Sequence, residues 1–315
     1  MGFQTKTLLL SFAITIVLGF IIVPILKKLK VGQIERDDGP ESHLKKQGTP
    51  TMGGIIIMLG IGIVTIAAYI YYRTVDVELA RNLLPILGLT IGFGAIGFID
   101  DFKKLVLKNT KGLKPSLKML GLLIISVVYI IYLIKGLNLG TDTYIPILKE
   151  YVNIPIYAYI PFAILVILAT TNAVNLTDGS VCTIIITCLT IIATTLGVKE
   201  IVIFGAIVIG AVLGFLMFNI HPAKVFMGDT GSLFLGGVIS GIALYLKMPL
   251  IALIPVIETL SVIIQVTYFK KTGKRVFKMA PIHHHLELSG WRENQVVMLF
   301  SVITLIVCVV GLKIV

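Results

Sequence analysis

Long apolar runs alternate along the chain with short polar connections. About ten runs stand out, near residues 7–26, 52–72, 83–99, 117–136, 155–174, 181–197, 200–218, 232–246, 250–268 and 295–314, and a helix needs roughly 20 apolar residues to cross the hydrocarbon core of a bilayer. The pattern predicts an all-α, polytopic integral membrane protein of about ten transmembrane helices, forming a single transmembrane domain over residues 1–315. Several runs are short or broken by Gly and Pro. The first follows "MGFQTK", lacks a small-residue cleavage site and precedes "KKLK", so a retained span is expected here and not a cleaved signal peptide.

Composition agrees with the pattern. The chain is 57% hydrophobic and only 14% charged, whereas soluble domains are roughly 25% charged. Its mean hydropathy is +0.99. A soluble domain of any size is excluded, membrane lipids are the expected surroundings, and no nucleic acid is expected as a partner. Most of the 27 Lys and Arg residues fall in the odd-to-even connections, among them Lys27, Lys28, Lys45, Lys103, Lys114, Lys270 and Arg275. Cationic loops stay in the cytoplasm, so both termini are expected outside and those loops inside. The net charge of +11 is then a property of the cytoplasmic face, suited to anionic headgroups or substrates. Cys182, Cys188 and Cys308 lie in or beside apolar runs without metal-ligand spacing and read as packed thiols.

Candidate chemistry gathers on the cationic side. The outer connections read as plain polar linkers ("RTVDVELARN", "NLGTDTYIPILKEYVN", "GVKE"). The inner ones carry clusters, and these imply a cytoplasm-facing site assembled from several loops. "FIDDFKK" places Asp100 and Asp101 where an apolar run ends; if the third span is helical to its end, the two point about 100° apart and cannot share a proton as a dyad. "VFMGDTGSLFLGG" sets Asp229 between Gly228 and Gly231, with Thr230 or Ser232 available to cap the following helix. A helix start of this kind suits an anion, with the acid placed to hold Mg2+ against a phosphate; the plainer alternative is that Asp229 only caps the helix. "NAVNLTDG" adds Asn172, Asn175 and Asp178 at three-residue spacing, on one face if the span continues. Amides there suit a sugar or base edge, or else hydrogen bonds between helices. His283, His284 and His285 cannot all face one metal from a helix and read better as phosphate-oxygen partners. Glu258, inside the ninth run, is costly in a membrane and a functional candidate for that reason; a water-exposed groove and a pairing with a polar group of another helix both stay open, and Gln265, two turns on, can face the same groove.

Together "GTPTMGG", "FIDDFKK", "NAVNLTDG", "HPAKVFMGDTGSLFLGG" and "APIHHHLELSGW" closely resemble, in order, the bacterial phospho-N-acetylmuramoyl-pentapeptide-transferase family, over essentially the whole chain. The resemblance implies transfer of phospho-MurNAc-pentapeptide from UDP-MurNAc-pentapeptide to undecaprenyl phosphate, giving lipid I and UMP, with Mg2+ as cofactor, in the bacterial plasma membrane and as a homodimer. It implies that Asp100, Asp101 and Asp229 are essential acids, with Asp229 the metal ligand. It further implies that Asn175 and Asp178 belong to the nucleotide-sugar motif, that Lys46 and Thr51 lie near uridine, that His283, His284 and His285 form the histidine motif with His283 catalytic, and that Gln265 is a site glutamine. One departure is visible: the family follows "NLTDG" with a further apolar-Asp-Gly segment, whereas this chain reads "NLTDGSVCTIII". The missing acid predicts a shortened sixth helix and turnover below that of a chain with the segment restored. Two competing readings are a UDP-GlcNAc transferase to polyprenyl phosphate, which should lack "APIHHHLELSGW", and an ion-coupled transporter, which would place its acids near the bilayer midplane.

Overall fold

The computed structural model describes residues 2–29, 49–107, 112–145, 150–174, 179–220, 222–249 and 253–312. Among them the chain forms α1 (Phe3–Lys28), α2 (Gly54–Tyr72), α3 (Val77–Leu105), α4 (Pro115–Ile131, continued by a π-helical turn Tyr132–Gly136), α5 (Ile156–Val174), α6 (Gly179–Thr195), α7 (Lys199–Asn219), α8 (Gly228–Tyr245), α9 (Leu253–Thr272), the short α10 (Ile282–Glu287) and α11 (Glu293–Leu312). Each apolar run picked out above coincides with a long helix. Among the described residues six helical stretches, Phe3–Lys28, Gly54–Tyr72, Val77–Leu105, Pro115–Gly136, Ile156–Val174 and Lys199–Asn219, are long and apolar enough to cross a membrane. Large side chains such as Phe20, Ile70, Leu165, Met217 and Met298 point outward, as a surface bathed in hydrocarbon requires.

Two helices differ from the expected runs in a way that matters for the site. α3 starts at Val77, six residues before the apolar run, because Asp76 accepts a hydrogen bond from Leu79 N–H at 3.1 Å and caps it. It also continues past the run to Leu105, so Asp100 and Asp101 are helical and Lys103 and Lys104 complement its C-terminal dipole. α8 starts at Gly228, which puts Asp229 in its first turn. α6 spans Gly179–Thr195, directly after residues that lie outside the described ones.

One connection that reads as a plain polar linker is structured. Asp142–Ile145 and Glu150–Asn153 pair antiparallel, Asp142 opposite Asn153. This hairpin is tied to the C-terminal end of α8 by Tyr144 N–H donating to Lys247 O at 2.8 Å and by a Lys247–Asp142 ion pair at 3.0 Å.

α8 is the central pillar. Every side chain from Thr230 to Tyr245 is buried, and α2, α3, α5, α6 and the 50–54 segment surround it. α7 packs beside α1, α2 and α6. The core therefore lies around α7 and α8, with Phe93, Phe204 and Phe234 among its largest fully buried side chains. Small residues let the helices approach closely, as membrane packing requires. A methyl group on Gly97 of α3 would overlap the Asp229 carbonyl, and one on Gly54 of α2 would overlap the backbone of Gly231.

Candidate active site

The first turn of α8 is built from three directions. Residues 50–54 run alongside it: Phe226 N–H donates to Pro50 O, and Gly53 and Gly54 N–H donate to Phe226 O and Met227 O, each at 2.8 Å. Gly228 takes a φ of +71°, and a Cβ there would lie 2.7 Å from Asp101 Oδ2 and 2.9 Å from Thr51 Oγ1. Only glycine fits that backbone and that space. The cap comes from α3. Asp101, 5% exposed, accepts from Thr230 N–H at 2.8 Å, Thr230 Oγ1–H at 2.6 Å and Asp229 N–H at 3.2 Å. Thr230 and Ser232 are thus not the caps that local spacing proposed, and Asp229 is not one either: the cap is a carboxylate about 130 positions earlier in the chain. A charged acceptor on the positive end of a helix is strongly held.

Asp100 sits one residue earlier and faces elsewhere. Its Oδ1 accepts from Leu113 N–H at 2.7 Å. Its Oδ2 meets the Lys104 ammonium at 2.9 Å and the Lys118 ammonium at 3.1 Å. The same two ammonium groups bind Asp229 Oδ2, at 3.2 Å and 2.8 Å. Two acids and two lysines from α3, α4 and α8 therefore form one compact, charge-balanced cluster. Asp100 is nearly buried, whereas the Asp229 side chain is 16% exposed and marks the open side.

Lys118 was not singled out by sequence. It lies in the first turn of α4, which Pro115 starts, and no local spacing ties it to the aspartates at the end of α3. Lys103, by contrast, takes no part in the cluster, and Lys104 does.

The histidines form a second group. His283 Nδ1 lies 3.1 Å from Glu258 Oε2, and His284 Nδ1 lies 3.1 Å from Glu287 Oε2. His285 Nδ1 accepts from Lys278 N–H at 3.1 Å. Three successive imidazoles thus have three different partners. Gln265 closes the loop before them: its amide donates to Phe277 O at 3.1 Å and accepts from Val276 and Phe277 N–H at 3.0 and 2.9 Å. Asn172 donates to Leu168 O one turn back on α5, at 2.7 Å. Thr51 is buried beside Asp101. Lys46, Asn175 and Asp178 lie outside the described residues.

The cluster suits hard cations and phosphate. Magnesium takes oxygen ligands, commonly one or two protein carboxylates completed by substrate phosphates. Asp100 and Asp229 turn one oxygen each toward the same two ammonium groups, a negative locus already matched to positive charge. No group of three or more His, Cys, Asp or Glu that could hold a metal occurs among the described residues, and Asp101 is fully occupied by backbone and hydroxyl donors. A two-carboxylate magnesium site completed by phosphate therefore fits, whereas a closed protein cage does not.

A bundle of long apolar helices with an acid–lysine cluster at one helix start is that of a multi-pass membrane protein. Comparison with known proteins specifies it. A family model described as glycosyl transferase family 4 matches residues 83–247, and a phospho-N-acetylmuramoyl-pentapeptide-transferase signature matches residues 46–58. Proteins named phospho-N-acetylmuramoyl-pentapeptide-transferase are 48% identical in Acetivibrio thermocellus (96% of this chain, 92% of the relative). Those in Clostridium botulinum strain Eklund 17B (97% and 94%) and Halalkalibacterium halodurans (95% and 94%) are 49% and 46% identical. The chain belongs to the phospho-N-acetylmuramoyl-pentapeptide-transferase family and is a transferase.

Proposed function

We propose that this enzyme moves phospho-MurNAc-pentapeptide from UDP-MurNAc-pentapeptide to undecaprenyl phosphate, releasing UMP and forming lipid I in peptidoglycan synthesis. The observation that carries the reading is the Asp100–Lys104–Asp229–Lys118 cluster at the start of α8 in a chain of this family. The whole chain acts as one domain of ten spans with both termini outside, working as a homodimer, and the cluster faces the cytoplasm of the bacterial plasma membrane.

The acceptor phosphate is a monoester whose second ionisation falls near pH 6, so its oxygen is nucleophilic at neutral pH without a strong base. The greater barrier is repulsion between that dianion and the donor's pyrophosphate. Lys104 and Lys118 reduce it by binding phosphate oxygens when these displace their carboxylate partners. Asp229, with Asp100, would hold Mg2+, which when bound neutralises phosphate charge. Asp101 acts through α8, fixing the turn that presents Asp229. His283, with His284 and His285, receives the phosphate-bearing substrate. Lys46, Thr51, Asn172, Asn175, Asp178 and Gln265 serve the nucleotide-sugar end, some by direct contact and Thr51 and Gln265 by shaping the backbone around it. One substrate is anchored in lipid and the other arrives from water, which favours a site where helices end.

The test supplies purified protein with UDP-MurNAc-pentapeptide radiolabelled in the peptide and with undecaprenyl phosphate. Label is expected in the lipid phase with stoichiometric UMP, and chelation by EDTA is expected to stop it. Label that stays in water, or equal use of UDP-GlcNAc, would overturn the reading.

A further inference from the structure

Glu258 is unusual among the acids. Its side chain is 1% exposed, Oε2 lies 3.1 Å from His283 Nδ1, and Oε1 is buried with no hydrogen-bond partner among the described residues. A carboxylate in an apolar helix with half its accepting capacity unused is not there for packing. With Glu258 as a carboxylate, which only accepts, the hydrogen in this contact belongs to Nδ1, and Nε2 is left as the working edge of the ring.

Other contacts hold the ring in place. His284 packs against His283 with ring centroids 4.1 Å apart and the rings tilted by 52°, and it has its own carboxylate partner in Glu287. Seven residues beyond Glu258 on the same helix, Gln265 grips both the N–H and C=O of Phe277. α9 therefore carries the residue that orients His283 and the residue that fixes the loop leading to it. The His283 side chain is 18% exposed, so the ring is held but not sealed.

Building on the proposed function, we propose that Glu258 is a positioning residue for the transfer reaction: it holds the Nδ1–H of His283 and presents Nε2 to the phosphate-bearing substrate. A ring fixed by a carboxylate in this way keeps one tautomer, as ligand and catalytic histidines do elsewhere.

The test joins spectroscopy and kinetics on the full chain. With 15N-labelled histidine and the His283 signal assigned by its loss in His283→Gln, the neutral ring is expected as the Nδ1–H tautomer in the unaltered protein. Glu258→Gln, whose amide can donate to Nδ1, and Glu258→Leu should shift it to Nε2–H. In the transfer assay Glu258→Gln and His283→Gln should each lower kcat about 10- to 100-fold, with KM for the nucleotide donor changed less than about 3-fold. The double variant should be no slower than the slower single one, and Glu258→Asp should recover part of the rate. An Nε2–H ring in the unaltered protein, or losses that multiply in the double variant, overturns the proposal. Lowered melting temperatures with multiplying losses would assign Glu258 a structural role only. If the unaltered protein transfers nothing, the proposed function fails, while the tautomer still decides whether Glu258 orients His283.

Discussion

Successive residues of an α-helix point about 100° apart, and this separates the fates of Asp100 and Asp101. Asp100 turns to two lysines and the Leu113 amide; Asp101 turns to the backbone of α8. Removing the second carboxylate should therefore act indirectly. Asp101→Ala leaves buried amides of α8 without acceptors, at a cost of about 1–3 kcal/mol each. Turnover should fall at least about 10-fold together with a lower melting temperature, read by a thermal unfolding assay in detergent. Lys118→Met should behave differently. It leaves Asp100 and Asp229 sharing Lys104 alone, so turnover should drop by about 10-fold or more while the melting temperature moves little, and Lys118→Arg should retain more activity than Met because it keeps the charge. Equal melting shifts in both variants would contradict this division. The sequence exposed the acids, because aspartates at the end of an apolar run are conspicuous. It could not expose Lys118 as their partner: the contact joins the end of one helix to the start of the next, and no local spacing encodes it.

At the scale of elements, close approach between helices carries much of the site. Gly97 lies against the Asp229 carbonyl, so Gly97→Ala must push α3 away from α8. The cost of such overpacking is about 1–3 kcal/mol, and the shift should reach both Asp101 and Asp229. A lowered melting temperature with lost turnover is expected, and an unchanged enzyme would show that the two helices yield freely. The hairpin offers a milder element to perturb. The Lys247 ammonium, with Asn153, holds the Asp142 carboxyl below its ordinary range, so this contribution is present above the usual carboxylate pKa and fades as pH falls through the lowered one. Amide exchange in 142–145 and 150–153, corrected for its intrinsic pH dependence, should show less protection near pH 3 than near pH 7, and Lys247→Met should abolish the difference. The apolar runs made the long helices legible. Their polar ends were not: α3 gained a turn at its start from the Asp76 cap, and two short strands pair where the sequence reads as a plain polar linker.

For the whole molecule, the order of apolar runs and polar connections carried the architecture, since hydrocarbon admits few alternatives to packed helices. What it did not carry was which helix would lie at the centre. α8 carries five glycines and two serines among its 18 residues, and such small residues permit close contact on all sides. Its burial from Thr230 to Tyr245 keeps the acid-bearing helix out of reach of the lipid tails. Stretching or thinning a bilayer tilts and strains the helices that touch it; α1, with its outward Phe20 and Ile21, would take that strain, while α8, fixed by Asp101 at one end and by the hairpin at the other, would not. Turnover in vesicles of short and long acyl chains should accordingly vary less than about 3-fold while tilt of the peripheral helices changes. Such an enzyme would keep its pace in membranes of different thickness, because its chemistry rests on a helix that the bilayer never grips.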